Sequence, residues 1–515
     1  MLFFLDQYGC AKNQVDGELL IGILCEKGWT RTDEPERADL IIINSCGFIE
    51  SAKKESLDAV MTARAAYPQA KVLLAGCLSE RYADDLAESL PEADALFGNG
   101  DLSRFPELLE SLFPAGEKSS VHGDATSAGS GEPAGIAVLR PQICGVPEGA
   151  RPELLSFPGS AYVKITEGCD NCCTFCAIPL IRGPLRSRPI ERIVSEIAGL
   201  AERGVWEINL IGQDLGSYGK DFPEAAAGSE HPAGSKTPTA ASEHPAAGDQ
   251  HPADGTLSPL AELLSAIGRL PGDFRIRLLY IHPDNFPRDI LPVMAANTRF
   301  FPYFDIPFQA GEETLLRSMN RRGNPDAYLR LVADIRSAFT ESPYGMAVLR
   351  TTFLVGFPRE TDETFEKTAR FLASLRSVWS GAFIWSREEG TAAADYPRAP
   401  AKKIAQKRLD TLLEIQRRMT PEELAFFVGK RVEVLVEELI PLSDEEVAES
   451  EKNGIPPSRL ALARAWFQAP EVDGSVVLQF DEGSRDSRGN PVAPGSVVEA
   501  LIMQVNGIDV EAVLP

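Results

Sequence analysis

The stretch GCDNCCTFC, residues 168–176, restricts this chain more than any other part of it. Cys169, Cys173 and Cys176 stand in the spacing C-x3-C-x2-C, with Phe175 just before the last thiol. Three thiolates held this closely bind three irons of a [4Fe–4S] cluster and leave the fourth iron open to an incoming group. The apolar run AYVKIT (161–166) precedes the loop and reads as a strand. The competing reading is structural zinc, because Cys172 completes two adjacent C-x-x-C pairs. Zinc knuckles need such pairs about a dozen residues or more apart so that they can face each other, and back-to-back pairs in one loop cannot.

A chain of 515 residues is expected to hold two to four domains. Its 44% apolar and 24% charged residues fit an ordinary soluble protein. The N-terminal MLFFLDQYGC has no basic segment and only five apolar residues before Asp6, so it does not read as a signal peptide. No apolar run approaches the length of a membrane span. Nine cysteines without an export signal suggest a reducing cytoplasm and metal rather than disulfides. The net charge of −24 repels phosphate backbones and favours basic partners, ribosomal proteins among them.

Residues 1–113 alternate strand and helix patterns. MLFFLD, ADLIIINS (38–45) and KVLLAG (71–76) are runs suited to buried parallel strands, with helical patterns at 17–28 and 50–66 between them. This order predicts a doubly wound α/β domain. Cys10, Cys46 and Cys77 each follow a strand by a few residues, so a parallel sheet brings all three to its carboxyl edge. One such cysteine is ordinarily a small buried hydrophobe. Three in the same structural position point to a second cluster site.

Residues 114–157, rich in Gly, Pro, Ser and Ala, read as a linker. Over 158–400 six strand patterns (161–166, 205–212, 275–281, 303–308, 348–357 and 381–385) alternate with helical ones at 189–203, 257–270, 286–297, 311–320, 325–339 and 362–376. Six β/α units predict a partial TIM-type (β/α)6 barrel with its chemistry at the carboxyl strand ends. A low-complexity insertion, 222–256, carries His231, His244 and His251, and nothing rigid in it would hold a metal. A connecting helix at 401–424 leads to residues 425–515. Their alternating runs KRVEVLVEEL, GSVVLQF, GSVVEALIMQV and GIDVEAVL predict a small antiparallel β-barrel, with the acidic run 443–452 as a solvated loop.

These three parts together resemble the methylthiotransferase family of radical S-adenosylmethionine enzymes, whose C-terminal module is the TRAM domain. The strings YGCAKNQVDGE, NSCGFIESAKKES, AGCLSER, ITEGCDNCCTFCAIPLIRGPLRSRP, GQDLGSYG, RLLYIHP, RTTFLVGFPRETDETF and SREEGT look most like the branch that modifies an aspartate of small-subunit ribosomal protein twelve. The resemblance spans the chain except for 114–157 and 222–256. It implies a radical cluster on Cys169, Cys173 and Cys176, whose open iron takes S-adenosylmethionine. It also implies an auxiliary [4Fe–4S] cluster on Cys10, Cys46 and Cys77. One electron, from a donor protein, cleaves the cofactor, and the 5′-deoxyadenosyl radical takes hydrogen from an aspartate β-carbon. The auxiliary cluster offers sulfur, and a second S-adenosylmethionine provides the methyl group.

The chain departs from the branch at three places. Ala310 follows Gln309 where His is usual, Arg359 stands where Gly is usual, and Cys172 is not usually a cysteine. Gln213 and Asp214 fall where the family contacts the methionine part of the cofactor, and a capped polar turn is the plain alternative. Gly356 and Pro358 are candidates for the adenine end. Arg182, Arg186 and Arg188 can hold a carboxylate bidentately or line a solvated helix start. A tRNA adenosine methylthiotransferase remains the alternative of the same chemistry. A non-catalytic electron carrier leaves a full barrel behind an open three-cysteine loop unexplained. Residues 425–515 hold seven Lys/Arg against sixteen Asp/Glu, which favours a basic protein over nucleic acid as partner.

Overall fold

The computed structural model describes residues 1–114, 136–223, 256–441 and 458–515. The three histidines of the 222–256 insertion and the acidic run at 443–452 lie outside the described residues. Strands β1 (Leu2–Gln7), β2 (Thr30–Arg31), β3 (Leu40–Ser45), β4 (Lys71–Gly76), β5 (Ala95–Phe97) and β6 (Ala137–Leu139) form one parallel sheet in the order β2-β1-β3-β4-β5-β6. The doubly wound fold is as expected, with six strands where the apolar runs mark three. β2, β5 and β6 are too short to leave an apolar run. β6 also falls inside the stretch read as linker, and it completes the sheet by pairing with β5. Helices α1 (Ala11–Glu26) and α4 (Phe105–Leu112) pack on one face, and α2 (Glu50–Ala66) and α3 (Cys77–Ser89) on the other. The strand order reverses between β1 and β3, and a crevice opens at the carboxyl ends of strands at such a point.

The central sheet is also wholly parallel. It runs β7 (Ser160–Lys164), then, past a small ribbon of β8 (Thr166–Glu167) and β9 (Arg186–Ser187), β10 (Glu207–Ile211), β11 (Arg275–Leu278), β12 (Phe300–Asp305), β13 (Val348–Val355) and β14 (Trp379–Ile384). Its six strands stand in sequence order and β7 does not pair with β14, so the barrel is open. Helix Ile190–Glu202 shows why these segments pack: Ile193, Ile197 and Leu200 recur at helical spacing and are fully buried, leaving a polar outer face. On the first domain, Asp16 of α1 pairs with Lys164 of β7 at 2.5 Å. A second tie joins three of the quoted strings. Glu388 of SREEGT pairs with Arg81 of AGCLSER at 2.7 Å and with Lys53 of CGFIESAKKES at 3.2 Å.

Helix Lys402–Leu424 leads to a closed five-stranded barrel in the order β15 (Arg431–Ile440), β16 (Arg459–Ala465), β17 (Val476–Phe480), β19 (Asp509–Val513) and β18 (Val497–Asn506). Its pairings are antiparallel except β17–β19, which is parallel. β16, RLALARA, escapes the apolar pattern because alanine fills its inward positions. This barrel seats on the central one through a buried ion cluster. Arg277 Nε donates to Glu207 at 2.9 Å, Arg464 pairs with the same carboxylate, and Arg464 Nε donates to Glu437 at 2.7 Å. Burial pushes the Glu207 carboxyl up, but Arg277 and Arg464 outweigh it and hold it below the usual carboxylate range. Its stabilising contribution is therefore present at neutral pH and is lost only as pH falls through that depressed value. Glu207→Ala leaves two buried guanidiniums short of their partner and should cost about 3–5 kcal/mol. Thermal denaturation should show an earlier transition, and an unchanged profile would separate this cluster from domain docking. No helix among the described residues is long and apolar enough to cross a membrane.

Candidate iron–sulfur active site

The loop after β7 carries Cys169, Cys173 and Cys176, the candidate radical triad. It needs a left-handed residue at its start, and Gly168 supplies one (φ 75°); a side chain there would collide with the Pro184 carbonyl. The Cys169 amide donates to the Gly183 carbonyl at 3.1 Å and the Cys176 amide to the Cys173 carbonyl at 3.0 Å, so the loop folds back on itself. Burial pushes the thiols of Cys169 and Cys176 up to about 12. Thiols so placed stay protonated without a cation, and a bound metal deprotonates them outright. Cys172 is exposed, with φ 50°, and its carbonyl accepts from Asn320 Nδ2 at 3.0 Å. The extra cysteine faces solvent, which leaves the C-x3-C-x2-C spacing intact.

Cys10, Cys46 and Cys77 follow β1, β3 and β4 at the switch-point crevice. The three loops touch: a methyl on Gly9 would lie 3.1 Å from Cβ of Cys46, and one on Gly47 would lie 2.6 Å from the Cys77 carbonyl oxygen. Burial raises Cys77 to about 12, opposed by the charge of Arg182 and reinforced by Cys10 and Cys46. Among the described residues no group of three His, Cys, Asp or Glu could hold a single metal ion. A four-iron cluster spreads its thiolates over three separate irons, and all-cysteine triads on loops of this kind fit that donor set. The site of Cys10, Cys46 and Cys77 meets the other loop through Cys77, which packs with Ala177 and Ile181 just after Cys176.

The other sequence candidates divide. Asp214 is buried and saturated. Oδ1 accepts from the Gly216 and His282 amides, each at 3.0 Å, and Oδ2 accepts from Asn171 Nδ2, Ser217 Oγ and Asn285 Nδ2 at 2.7–2.8 Å. A carboxylate has about four acceptor sites. Asp214 therefore ties the cysteine loop to the ends of β10 and β11 and has no capacity left for a cofactor. Gln213 is different. Its Nε2 donates to Glu167 at 2.8 Å, while its Oε1 is buried without a partner, as is the hydroxyl of Thr166 beside Gly212. An unmet acceptor there suits the amino group of S-adenosylmethionine.

Gly356 has φ +72°, and a methyl on it would lie 2.7 Å from Cβ of Ala405, so contact with helix Lys402–Leu424 already demands glycine. Pro358 is buried beside it. Between them Phe357 meets Phe175 of the cysteine loop edge to face at 6.4 Å, and also Trp385 and Tyr396, forming an apolar wall. Arg359 is left-handed at φ 74°, which explains why glycine is usual there. Its guanidinium lies 4.7 Å from the Tyr396 ring centre. Ala310 is fully buried in the barrel core. Of the three arginines, Arg182 and Arg188 are buried against protein carboxylates, and Arg186 donates to backbone carbonyls, so none lines a solvated helix start.

Two residues at this site carry no sequence signal of their own. His282 Nδ1 accepts from the Asp284 amide at 3.2 Å, which assigns the ring proton to Nε2, 3.9 Å from Cys173 Sγ. Burial, together with Arg321 and Arg322, holds this imidazole neutral. Lys12 places its ammonium 3.3 Å from the Tyr280 ring centre, and Tyr280 is itself left-handed at φ 68°. Backbone strain of this kind collects at functional sites.

Residues 2–98 match the family described as uncharacterized protein family UPF0004, residues 163–372 the radical SAM superfamily, and residues 428–514 the TRAM domain. The chain is 50% identical over 514 residues to the ribosomal protein uS12 methylthiotransferase RimO of Treponema denticola, covering 99% of this chain and 100% of that protein. The chain belongs to the RimO family. It is 35% identical to the protein of the same name from Bdellovibrio bacteriovorus, over 91% of this chain and 90% of that one. Its fold is shared with the radical S-adenosylmethionine methyltransferase TsrM from Kitasatospora setae, solved with cobalamin and a [4Fe–4S] cluster. The TM-score is 0.50 at 14% identity, over 76% of each chain. The chain is thus a radical S-adenosylmethionine enzyme, with S-adenosylmethionine and [4Fe–4S] chemistry as its cofactors.

Proposed function

We propose that this chain adds a methylthio group to the β-carbon of an aspartate in ribosomal protein uS12, in the cytoplasm, with a cellular electron donor as reductant. The observation that supports this reading is the packing of Cys77 against Ala177 and Ile181, which joins the cysteine-bearing edge of the first sheet to the turn just after Cys176. When bound, a cluster on Cys169, Cys173 and Cys176 supplies an electron and an open iron for S-adenosylmethionine, and one on Cys10, Cys46 and Cys77 supplies sulfur. The residues around them do the positioning. Asp214 fixes the radical loop, Gln213 receives the cofactor's amino group, and the Phe175, Phe357 and Trp385 wall keeps water from the radical. On this reading residues 1–113 together with β6 form the sulfur domain, 158–400 the radical barrel and 425–515 the docking domain.

A protein substrate is preferred to tRNA because the last domain carries sixteen Asp/Glu against seven Lys/Arg, and two of its described arginines are already taken up by carboxylates. Arg464 is consumed in the buried cluster with Glu207 and Glu437, and Arg459 pairs with Glu482 at 3.0 Å. A domain that grips phosphates needs an open basic face. Mass spectrometry of ribosomal proteins and tRNA, from cells with and without this gene, tests the proposal. A gene-dependent gain of about 46 Da, the mass of CH2S, is expected on one uS12 aspartate. The same gain on a tRNA adenosine, with uS12 unchanged, would give first place to the tRNA reading.

A further inference from the structure

Arg182 lies just after the radical triad, yet its guanidinium reaches the other one. Nη2 donates to Cys77 Sγ at 3.1 Å, and Asn99 Nδ2 donates to the same sulfur at 3.4 Å. The side chain is 3% exposed. Nη1 donates to Asp16 at 2.6 Å and lies 3.4 Å from Glu167, while Lys164 joins the same two carboxylates at 2.5 and 2.7 Å. Two cations and two carboxylates balance in this buried quartet, so the carboxylates fix the guanidinium fork. The other arm, Nη2, reaches the Cys77 sulfur and, at the longer distance of 3.5 Å, Asn13 Oδ1. The Arg182 amide donates to the Ile178 carbonyl at 2.7 Å, which anchors the backbone in the turn that packs on Cys77.

We propose that Arg182 is a positioning residue of the auxiliary centre, which sets that centre's reduction potential through a charge-assisted hydrogen bond to the Cys77 sulfur. This inference rests on reading Cys10, Cys46 and Cys77 as cluster ligands. Hydrogen bonds to cluster sulfurs are one of the levers that set the potential. A cationic donor draws electron density from the thiolate and so favours the reduced, more negative state. The donor sits at the end of the turn that follows the radical loop, so the auxiliary potential depends on that turn being docked in place.

The test is an anaerobic redox titration of the full chain, followed by electron paramagnetic resonance, in a background with Cys169, Cys173 and Cys176 changed to Ala. Only the auxiliary centre then contributes a signal. Arg182→Met should disfavour reduction at least tenfold, a fall of about 59 mV for a one-electron couple. Arg182→Lys keeps the charge but not the fork, and it should fall by less. Asn99→Ala, which removes a neutral donor, should also fall by less than Arg182→Met. Should Arg182→Met fail to load iron, the other two variants carry the test, and unchanged potentials in both overturn the inference. An iron-loaded Arg182→Met with the parent's potential overturns it directly. Absence of iron in the background itself would remove the auxiliary centre, and this inference with it.

Discussion

Changing Cys169, Cys173 and Cys176 together to Ala should abolish cleavage of S-adenosylmethionine and lower the iron of anaerobically reconstituted protein from about eight to about four per chain. The triads lie on loops of different sheets, so loss of one set of ligands leaves the other complete. On the proposed reading the four irons left are those held by Cys10, Cys46 and Cys77. Proton uptake and release give a second reading of the same sites. Burial holds Cys169, Cys176 and Cys77 at about 12, so these thiols are protonated before iron arrives. Loading must displace their protons, and iron affinity should rise with pH across the neutral range. Iron analysis and 5′-deoxyadenosine chromatography check the first result, and loading at several pH values checks the second. Four irons in the parent and none in the variant would remove the auxiliary centre.

Changing Cys10, Cys46 and Cys77 to Ala should have the complementary effect. The methylthio product should disappear while 5′-deoxyadenosine continues to form, because the radical loop is held by its own contacts. Asp214 ties it to β10 and β11, and Phe175 is held against Phe357. Cys77 crosses between the sites, by a hydrogen bond from Arg182 and by packing on Ala177 and Ile181. With the Cys77 sulfur gone, Arg182 loses a hydrogen-bond acceptor but keeps Asp16 and Glu167, so the turn should stay in place. Quantifying both products from one reaction checks this outcome. Complete loss of cofactor cleavage in a folded, iron-loaded variant would show that the two sites do not divide the chemistry.

Arg359 and Asp214 show how unevenly function can be read along a chain. Arg359, in place of a usual glycine, is legible as a departure, but its left-handed backbone and its contact with Tyr396 emerge only from the fold. Asp214 looks from its motif like a cofactor contact. Five donors converge on it from the cysteine loop, its own turn and the end of β11, and a side chain so occupied is a brace. His282 sits in the quoted string RLLYIHP, yet nothing in that string says that its ring faces Cys173. The strands β2, β5, β6 and β16 carry no apolar signature because they are short or rich in alanine, and pairing rather than periodicity makes them strands.

What the amino-acid sequence determined by itself is everything set by local spacing. The six runs of the central sheet, the helix periods between them and the cysteine spacing of the radical loop each lie within one short segment. Backbone geometry turns such a segment into a strand, a helix or a thiol triad wherever it occurs. Topology extends this one step further, since a parallel sheet must bring Cys10, Cys46 and Cys77 to the same edge. The tertiary structure alone decided which side chains meet across domains. Arg182 meets Cys77 across 105 positions of sequence, and Glu207 meets Arg464 across 257. Such pairs depend on how whole domains dock, and docking follows from the burial of entire surfaces, which no spacing along the chain records.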